Sequence, residues 1–506
     1  MAARAEPSLT QRAFSGALWT ASGWGVSAVF QLAFGIAIAR ILGPRILGIY
    51  AAALVVIRFS NVLANIGIGP ALVQREEITR RHMRTGMTLS FGLALLIGAA
   101  TLAGAAAISR FYRMPELDAA IRPLAFVFPL RGLAVVPQAL LQRELAFRRL
   151  ALIETLAYLF GFGVVGVSLA LADFGLDALI LATISHAALE LGLLAWSRPF
   201  PIAPQFDRAA ARELVGYGGG MTLAGVFGFL AFQGDKLIIG RLLGAASLGL
   251  YSRAYSLVAT STRLYQKIAT TAFFPLLSRV QADPERLGRG LTRGLAVNAL
   301  TVLPSSAVLF AIAPELIETL LGAEWLGAIG PFRTLVLFFF LRSAAKLCGP
   351  VVMALGRVYL LASIQGVFAA LVVAGAWIGA RWGISGAAAG VAVAICGHAV
   401  LLLHSSLRLT GAGWPEVIAG WYRPLVLAAV LAAETWLLIE LASVWSPVSL
   451  VVVAVTLGVL AVTLLAGLLW APRALLGDDG LATLRQLGPF RRLEKWISSR
   501  LGRGRA

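Results

Sequence analysis

Long apolar segments alternate with short polar ones along most of this chain. A helix that crosses a bilayer needs about 20 mostly apolar residues, and by that criterion the pattern predicts fourteen transmembrane helices. The boundaries lie at residues 15–39, 49–72, 86–108, 121–142, 151–172, 178–196, 214–239, 247–272, 291–313, 328–355, 358–380, 384–407, 424–443 and 448–470.

Composition indicates the same class of protein. The 506 residues are 59% hydrophobic and 13% charged, whereas charged residues make up about a quarter of an ordinary soluble domain. Cys348 and Cys396 both lie in apolar segments, a placement that indicates neither a disulfide framework nor a metal cluster. We therefore expect an all-α polytopic membrane protein with no metal and no cofactor.

The basic residues are concentrated in alternate loops. A net charge of +19 distributed in this way is typical of loops that face the cytoplasm, so nucleic acid is not expected as a partner. The distribution places both termini in the cytoplasm, and the even number of helices agrees. The loops predicted to lie inside carry Arg75, Arg80, Arg81, Arg84, Arg143, Arg148, Arg149, Arg198, Arg208, Arg212, Arg279, Arg286, Arg289 and Arg293.

One short motif occurs twice. Residues 39–54 and 240–255 are identical at seven of sixteen positions at a constant offset of 201 residues, and Leu130-Arg131 has a weaker counterpart in Leu341-Arg342. Each motif joins the first two apolar segments of a set of six. The glycines at 43 and 244 are predicted to end a helix in the left-handed conformation.

The repeat predicts the domain organisation. Because six is an even number, both sets enter the membrane in the same orientation, as two lobes related by a pseudo-two-fold axis along the membrane normal. We expect an N-terminal lobe over residues 1–200, a C-terminal lobe over 201–410, two further helices over 411–471 and a basic cytoplasmic tail over 472–506.

Several predicted spans contain a cation near their middle. A charge in hydrocarbon is costly, so such residues usually face a cavity or a partner. Two pairs have i, i+4 spacing and therefore share a helix face. The alternative is that some of these cations pair with carboxylates such as Glu154, Glu190 or Asp235, or extend to the membrane interface. The residues are Arg58, Arg131, Arg263, Lys267, Arg342 and Lys346.

Other ionisable residues are candidates for ion coupling or gating. Glu154, His186 and Glu190 lie within the fifth and sixth spans, where burial favours proton exchange near neutral pH. Asp235 and Lys236 directly precede the second repeated turn, where a salt bridge would stabilise one conformation of a lobe. A purely structural role is the alternative for each of these residues.

The motifs resemble those of a known family. Ala39-Arg-Ile-Leu-Gly-Pro44, Gly67-Ile-Gly-Pro-Ala-Leu-Val-Gln74, Asp235-Lys-Leu-Ile-Ile-Gly-Arg-Leu-Leu-Gly244, Phe274-Pro-Leu-Leu-Ser-Arg279 and Gly322-Ala-Glu-Trp325 are similar to motifs of the polysaccharide-specific branch of the multidrug/oligosaccharidyl-lipid/polysaccharide exporter superfamily. The resemblance spans residues 10 to about 410.

The resemblance implies a function. Wzx-type flippases of this branch move undecaprenyl-pyrophosphate-linked oligosaccharides across the bacterial inner membrane, with a polysaccharide polymerase and a chain-length regulator as possible partners besides membrane lipids. A cationic cavity suits the pyrophosphate of such a substrate, because guanidinium groups bind phosphate oxygens through paired hydrogen bonds.

Other functions remain as alternatives. The sequence contains no Gly-Lys dipeptide, so it lacks the phosphate-binding loop of an ATP-driven pump. A membrane-embedded polymerase or ligase would need a larger outer loop than any present, and no catalytic residue is expected. A drug exporter of the same superfamily would need acidic rather than basic cavity residues. A lipid II flippase shares both the substrate carrier and the helix number, and only the turn motifs disfavour it.

Overall fold

The computed structural model describes residues 9–64, 67–198, 205–215, 218–279, 283–445 and 458. No β-strand occurs among these residues, and almost all of them are helical. The helices are α1 (Leu9–Ala64), α2 (Ile68–Gln74), α3 (Arg80–Tyr112), α4 (Glu116–Leu124), α5 (Val127–Arg143), α6 (Phe147–Tyr158), α7 (Val167–Leu171), α8 (Leu176–Ser197), α9 (Arg208–Val215), α10 (Gly218–Arg279), α11 (Pro284–Ala311), α12 (Ala313–Leu321), α13 (Ile329–Leu337), α14 (Phe339–Ala354), α15 (Val358–Gly379), α16 (Gly383–Thr410) and α17 (Trp414–Trp445).

Thirteen of the fourteen predicted spans coincide with these helices. The first span and most of the second lie in α1, and most of the seventh and all of the eighth lie in α10. By length and hydropathy alone, eight helical segments in the described part of the chain can cross a membrane, or nine if one bent pair forms a single span. The fourteenth span and the basic tail lie outside the described residues. The prediction of an all-α, multi-pass membrane protein is confirmed.

Three spans in the described part of the chain are broken, and at the first two breaks the sequence supplies Pro or Gly. The fourth is divided between α4 and α5, next to Pro123. The fifth contains a π-helical turn, Leu159–Gly166, between α6 and α7. The tenth bends by 42° between its two helical parts, Ala323–Leu337 and α14. Pro and Gly residues at such breaks give a membrane helix local freedom that a straight helix lacks.

The glycines of the repeated turns have an unusual backbone conformation. Gly43 has φ 70° and ψ 174°, and Gly244 has φ 81° and ψ −177°. The prediction of a left-handed cap is wrong in detail, because ψ is extended at both positions. Positive φ combined with extended ψ is reached almost only by glycine, so the two turns require this residue for the same reason.

The two repeated turns contact each other through their backbones. A Cβ atom at Gly48 would overlap the carbonyl group of Ala245, and a Cβ atom at Gly249 would overlap the carbonyl group of Pro44. Both contacts pair a glycine with the residue that directly follows the positive-φ glycine of the other turn. The offset of 201 residues relates Gly48 to Gly249 and Pro44 to Ala245. The two contacts are therefore equivalent, as they would be under a local two-fold axis.

The chain is divided into two compact units. The first contains residues 1–268 and 369–391, and the second contains residues 269–368 and 392–506. In the second unit, α11, α14, α15, α16 and α17 pack around one buried core that includes Leu291, Cys348 and Leu403. The expected lobe and tail boundaries at residues 200, 410 and 471 stay a prediction.

The connection between the two repeats belongs to the first unit and packs against other helices of that unit. Leu214 of α9 is fully buried in a core formed by α2, α3 and α5. The Asp207 carboxylate accepts hydrogen bonds from the backbone N–H groups of Ala209 and Ala210 and so caps the helix. Glu213 accepts a hydrogen bond from Arg75. His82 Nδ1 accepts the N–H of Thr79, so the opposite nitrogen, Nε2, donates to Glu213 over 3.2 Å.

This ionic contact predicts a pH-dependent contribution to stability. Two hydrogen bonds, the larger contribution from Arg75 and the second from His82, hold the pKa of the Glu213 carboxyl below its ordinary value. A depressed carboxyl pKa stabilises the fold above the unfolded-state pKa of about 4.3, and the contribution is lost as the pH falls through the folded-state pKa. We expect Glu213→Gln to lower the thermal unfolding temperature at pH 7 by a small amount, because the pair is exposed.

The difference in unfolding temperature between Glu213→Gln and the wild type should shrink as the pH falls below about 4. Thermal unfolding followed by intrinsic fluorescence in detergent measures it, with Glu77→Gln as the control because Glu77 is an exposed carboxylate in the segment between α2 and α3. A difference that stays constant from pH 7 to pH 3 would contradict the assignment.

Candidate functional site

A polar cavity of about 550 Å³ lies inside the first unit. Five helices line it, namely α1, α3, α5, α6 and α8. Apolar side chains such as Phe128 and Leu194 form part of its wall. The polar side chains of the lining are Asn61, Ser90, Arg131, Gln138, Glu154, His186 and Glu190. The structure therefore brings together one of the predicted substrate-binding cations and three of the predicted ion-coupling residues.

Close helix packing places Arg131 in this cavity. Its neighbour Gly132 lies so near α3 that a Cβ atom would be 2.6 Å from the Ala94 side chain and 2.9 Å from the Ser90 carbonyl oxygen. The absence of a side chain at Gly132 lets α5 approach α3, with Arg131 at the cavity wall beside the contact.

The charges in the cavity are of both signs. Glu190 interacts electrostatically with Arg131 and with Glu154, and Arg131 also interacts with His186. His186 and Glu190 lie on one face of α8 because they are four residues apart. One guanidinium group, two carboxylates and an imidazole can bind an oxyanion through the arginine or exchange a proton among the acids and the histidine.

The π-helical turn supports the position of His186. A Cβ atom at Gly161 would lie 2.8 Å from the Cα atom of His186, so the two backbones are in close contact. The rings of Tyr158 and Phe162 are centred 6.0 Å and 5.8 Å from the imidazole. Single π-helical turns occur often at functional sites, and this one places two aromatic rings beside a titratable group.

Arg58 lies in the same region of the first unit. The hydroxyl groups of Tyr50 and Thr183 are 2.7 Å apart. Because the Thr183 hydroxyl donates to the Leu179 carbonyl, Tyr50 is the donor. Arg58 and Arg131 both interact electrostatically with Tyr50. Two of the predicted substrate-binding cations are therefore near a common side chain.

Asp235 and Lys236 are buried in a polar cluster. Asp235 accepts hydrogen bonds of 2.7 Å from the Tyr251 hydroxyl and 2.8 Å from the Lys236 backbone N–H. The Lys236 ammonium donates to the Gln233 side chain over 3.1 Å and lies 4.3 Å from the centre of the Tyr255 ring. The cluster connects the helix before the second repeated turn to the helix after it, which is the geometry of a positioning role.

The remaining predicted cations are in the second half of the sequence. Arg342 is partly buried and Lys346 is exposed, both on α14. Arg342 interacts electrostatically with His398 of α16. The backbone at Arg263 and Lys267 belongs to α10, but their side chains lie outside the described residues.

Arg253 is a candidate that the sequence interpretation missed. Its Nε and Nη2 atoms are buried and have no hydrogen-bond partner among the described residues. The guanidinium lies against Gly35, where a Cβ atom would be 3.1 Å from Nη2, and it interacts electrostatically with Tyr158. The available signal was an arginine inside an apolar span, two residues beyond Tyr251 and within the second repeated motif.

The described residues contain no group of three or more His, Cys, Asp or Glu side chains that could hold a metal ion. Residues 37–330 match the family model described as polysaccharide biosynthesis protein. The chain belongs to this polysaccharide biosynthesis protein family. Similar relatives include TuaB, the teichuronic acid biosynthesis protein of Bacillus subtilis (strain 168), which is 26% identical over 69% of this chain and 73% of its own length.

Two further relatives come from other bacteria. The lipopolysaccharide biosynthesis protein WzxC of Escherichia coli (strain K12) is 25% identical over 69% of this family member and 72% of its own length. The succinoglycan biosynthesis transport protein ExoT of Rhizobium meliloti (strain 1021) is 28% identical over 57% of this chain and 58% of its own length.

Solved transporter structures share the fold. An inward closed conformation of the lipid II flippase MurJ superposes with a TM-score of 0.70 at 13% identity, covering 88% of this chain and all of MurJ (100%). An inward-facing multidrug resistance MATE family transporter of the MOP superfamily gives 0.60 at 16% identity, covering 80% of this chain and 96% of the transporter. These structures show that the chain has the fold of such transporters, and the family match confirms the resemblance to polysaccharide biosynthesis proteins.

Proposed function

We propose that this protein is a flippase for undecaprenyl-pyrophosphate-linked oligosaccharide repeat units and acts by transport, not catalysis. It moves them across the bacterial inner membrane by alternating access, for the synthesis of a surface polysaccharide. Membership of the polysaccharide biosynthesis protein family is the observation that carries the proposal. The names of the relatives WzxC and ExoT and the transporter fold support it.

The cavity of the first unit supplies groups that suit this substrate. Arg131 lines the cavity and Arg58 lies near the same tyrosine, so both can bind pyrophosphate oxygens. We assign the same role to Arg263, Lys267, Arg342 and Lys346, at positions that the substrate reaches in turn. Glu154, His186 and Glu190 exchange protons during the cycle, and Asp235 and Lys236 position the second repeated turn.

The proposed arrangement in the cell follows the basic loops. Both termini and the connection that contains α9 face the cytoplasm, and the two repeated turns lie on the outer side. Their mutual contact closes the outer side in the conformation that receives substrate from the cytoplasm. A polysaccharide polymerase and a chain-length regulator receive the transported unit.

Deleting the gene in its host tests this function. We expect surface polysaccharide to be lost and lipid-linked repeat units to accumulate in the inner leaflet, where a membrane-impermeant enzyme that cleaves oligosaccharides reaches them only in inverted vesicles. Wild-type protein supplied from a plasmid should restore both. Unchanged surface polysaccharide and unchanged leaflet distribution in the deletion strain would overturn the proposal.

A second experiment tests the main alternative, which is that lipid II is the substrate. Rescue of cells that are depleted of their own lipid II flippase would assign lipid II as the substrate. We expect no rescue, because the family matched is that of polysaccharide biosynthesis.

A further inference from the structure

The Arg–His pair of the cavity has a counterpart in the second half of the chain. Arg131 and His186 correspond to Arg342 and His398 at offsets of 211 and 212 residues. In both pairs the arginine interacts electrostatically with the histidine. The imidazole also lies beside a phenylalanine ring in both, Phe162 in the first pair and Phe368 in the second. Each half of the chain therefore places an arginine and a phenylalanine beside a histidine, although the two phenylalanines are 206 residues apart in the sequence.

The histidine of the second copy packs against a buried aromatic ring of the second unit. The rings of Phe368 and His398 are stacked with their centres 4.1 Å apart and an angle of 19° between their planes. Phe368 is 4% exposed. The Ser406 hydroxyl donates to the Cys348 carbonyl over 3.4 Å and joins α16 to α14. In this conformation α16 and α14 are therefore in direct contact through the side chain of Ser406 and the backbone of Cys348.

One atom of this histidine is unsatisfied. His398 Nε2 is buried and has no hydrogen-bond partner among the described residues. A buried polar atom without a partner raises the free energy of a conformation. A ligand that supplies an acceptor to Nε2 would remove that cost.

The two copies differ in the charged residues that their own helices carry. The first shares its cavity with Glu154 and Glu190. The second belongs to a stretch from Trp325 to Pro415 that contains no aspartate or glutamate in the sequence, although it includes α13 to α16. Within this stretch the charged residues are Arg333, Arg342, Lys346, Arg357, Arg381 and Arg408. The helices that carry the second copy therefore supply no carboxylate to compete with a bound anion, although α17, which packs on the same core, carries Glu434 and Glu440.

We propose that Arg342 and His398 form an oxyanion-binding site for the phosphate groups of the transported lipid. Arg342 contributes the guanidinium fork, and His398 donates a hydrogen bond from Nε2–H. Because Nε2 is buried in this conformation, the phosphate reaches it when α16 shifts relative to α14. Binding then stabilises the shifted conformation over this one. The inference rests on the proposed function and assigns the pyrophosphate of its substrate to one pair of residues.

Binding of undecaprenyl pyrophosphate to the purified full-length protein in nanodiscs tests the site. His398→Phe keeps an aromatic ring against Phe368 and removes the donor, and we expect it to weaken binding by about tenfold or more. Arg342→Gln should weaken binding at least as much. His398→Gln should recover part of the affinity because its amide nitrogen can take the place of Nε2, a result that a merely structural histidine would not give. His186→Phe, the same change in the first copy, should weaken binding less than His398→Phe.

Two further probes identify the source of the phosphate. Inorganic pyrophosphate should compete with undecaprenyl pyrophosphate in the wild type and compete poorly in Arg342→Gln. Phosphatidylglycerol, a membrane lipid with one phosphate, should bind wild type and variants equally. Loss of phosphatidylglycerol binding alone in the variants would assign the site to a membrane lipid and overturn the proposal.

The outcomes separate this proposal from the function on which it rests. Equal affinity of wild type, His398→Phe and Arg342→Gln for undecaprenyl pyrophosphate overturns the site and leaves the flippase function standing. Absence of binding to the wild type overturns both. Thermal unfolding of each variant shows whether it is folded, and His398→Gln provides the comparison if His398→Phe does not fold.

Discussion

Replacing Gly48 with alanine is expected to stop transport. The new Cβ atom would occupy the position of the Ala245 carbonyl group, and this carbonyl belongs to a backbone that cannot rotate away as a side chain can. Overpacking of this kind costs about 1–3 kcal/mol, so the population of the closed contact falls by about fivefold to 150-fold. Gly249→Ala should have the same effect, because its Cβ atom would meet the Pro44 carbonyl group.

Gly92→Ala is the matched control for this substitution. Gly92 lies inside α3, and a Cβ atom there would have no neighbour within 4 Å. Both changes raise helix propensity by about 1 kcal/mol, so only the contact distinguishes them. Surface polysaccharide measures transport. A cysteine at Ala245, in a chain whose own two cysteines are replaced, should react faster with an impermeant thiol reagent when Gly48 is alanine. Transport at the wild-type rate in Gly48→Ala would rule out a need for this contact.

Removing two guanidinium groups from the first unit is the second change that we expect to reduce transport strongly. Arg58→Gln combined with Arg131→Gln is expected to abolish surface polysaccharide while the protein still inserts into the membrane. Each hydrogen bond to a charged group contributes about 1.5–3 kcal/mol. Loss of two such interactions therefore weakens pyrophosphate binding by more than about a hundredfold. The corresponding lysine variants should retain part of the activity, because an ammonium keeps the charge without the planar fork.

Arg110→Gln combined with Arg113→Gln is the control for lost charge. Both of these arginines are exposed at the end of α3, away from the cavity lining. This pair should leave surface polysaccharide at the wild-type level. Normal polysaccharide from the Arg58 and Arg131 double variant would refute the binding role of these cations.

The apolar pattern predicted the helices well because membrane spans are encoded locally. Every predicted span in the described part of the chain coincides with a helix, and the breaks beside Pro123 and within Leu159–Gly166 occur where Pro or Gly is present. The backbone angles at Gly43 and Gly244 were not predicted correctly. A glycine in a sequence signals that positive φ is allowed, and the contact with the other turn determines ψ.

The sequence identified the unusual residues of the site but did not show which of them lie together. Arg131, Glu154, His186 and Glu190 were each identified as unusual in an apolar span, but the sequence separated them into a substrate-binding set and a coupling set. Only the packing of α5, α6 and α8 shows that they share one cavity. Arg253 was missed because its partly buried position depends on Gly35, more than 200 residues earlier in the chain. Helical spacing predicts which side chains share a face, and it carries no information on which faces meet.

The contact between the repeated turns also concerns the origin of the chain. Gly48 meets the carbonyl of Ala245, and Gly249 meets the carbonyl of Pro44. Each turn therefore contributes one glycine and one carbonyl group to the contact. A chain with only one such turn is complementary to a second copy of itself. A half-length ancestor would therefore already have possessed a homodimer interface, which gene duplication then placed within a single polypeptide.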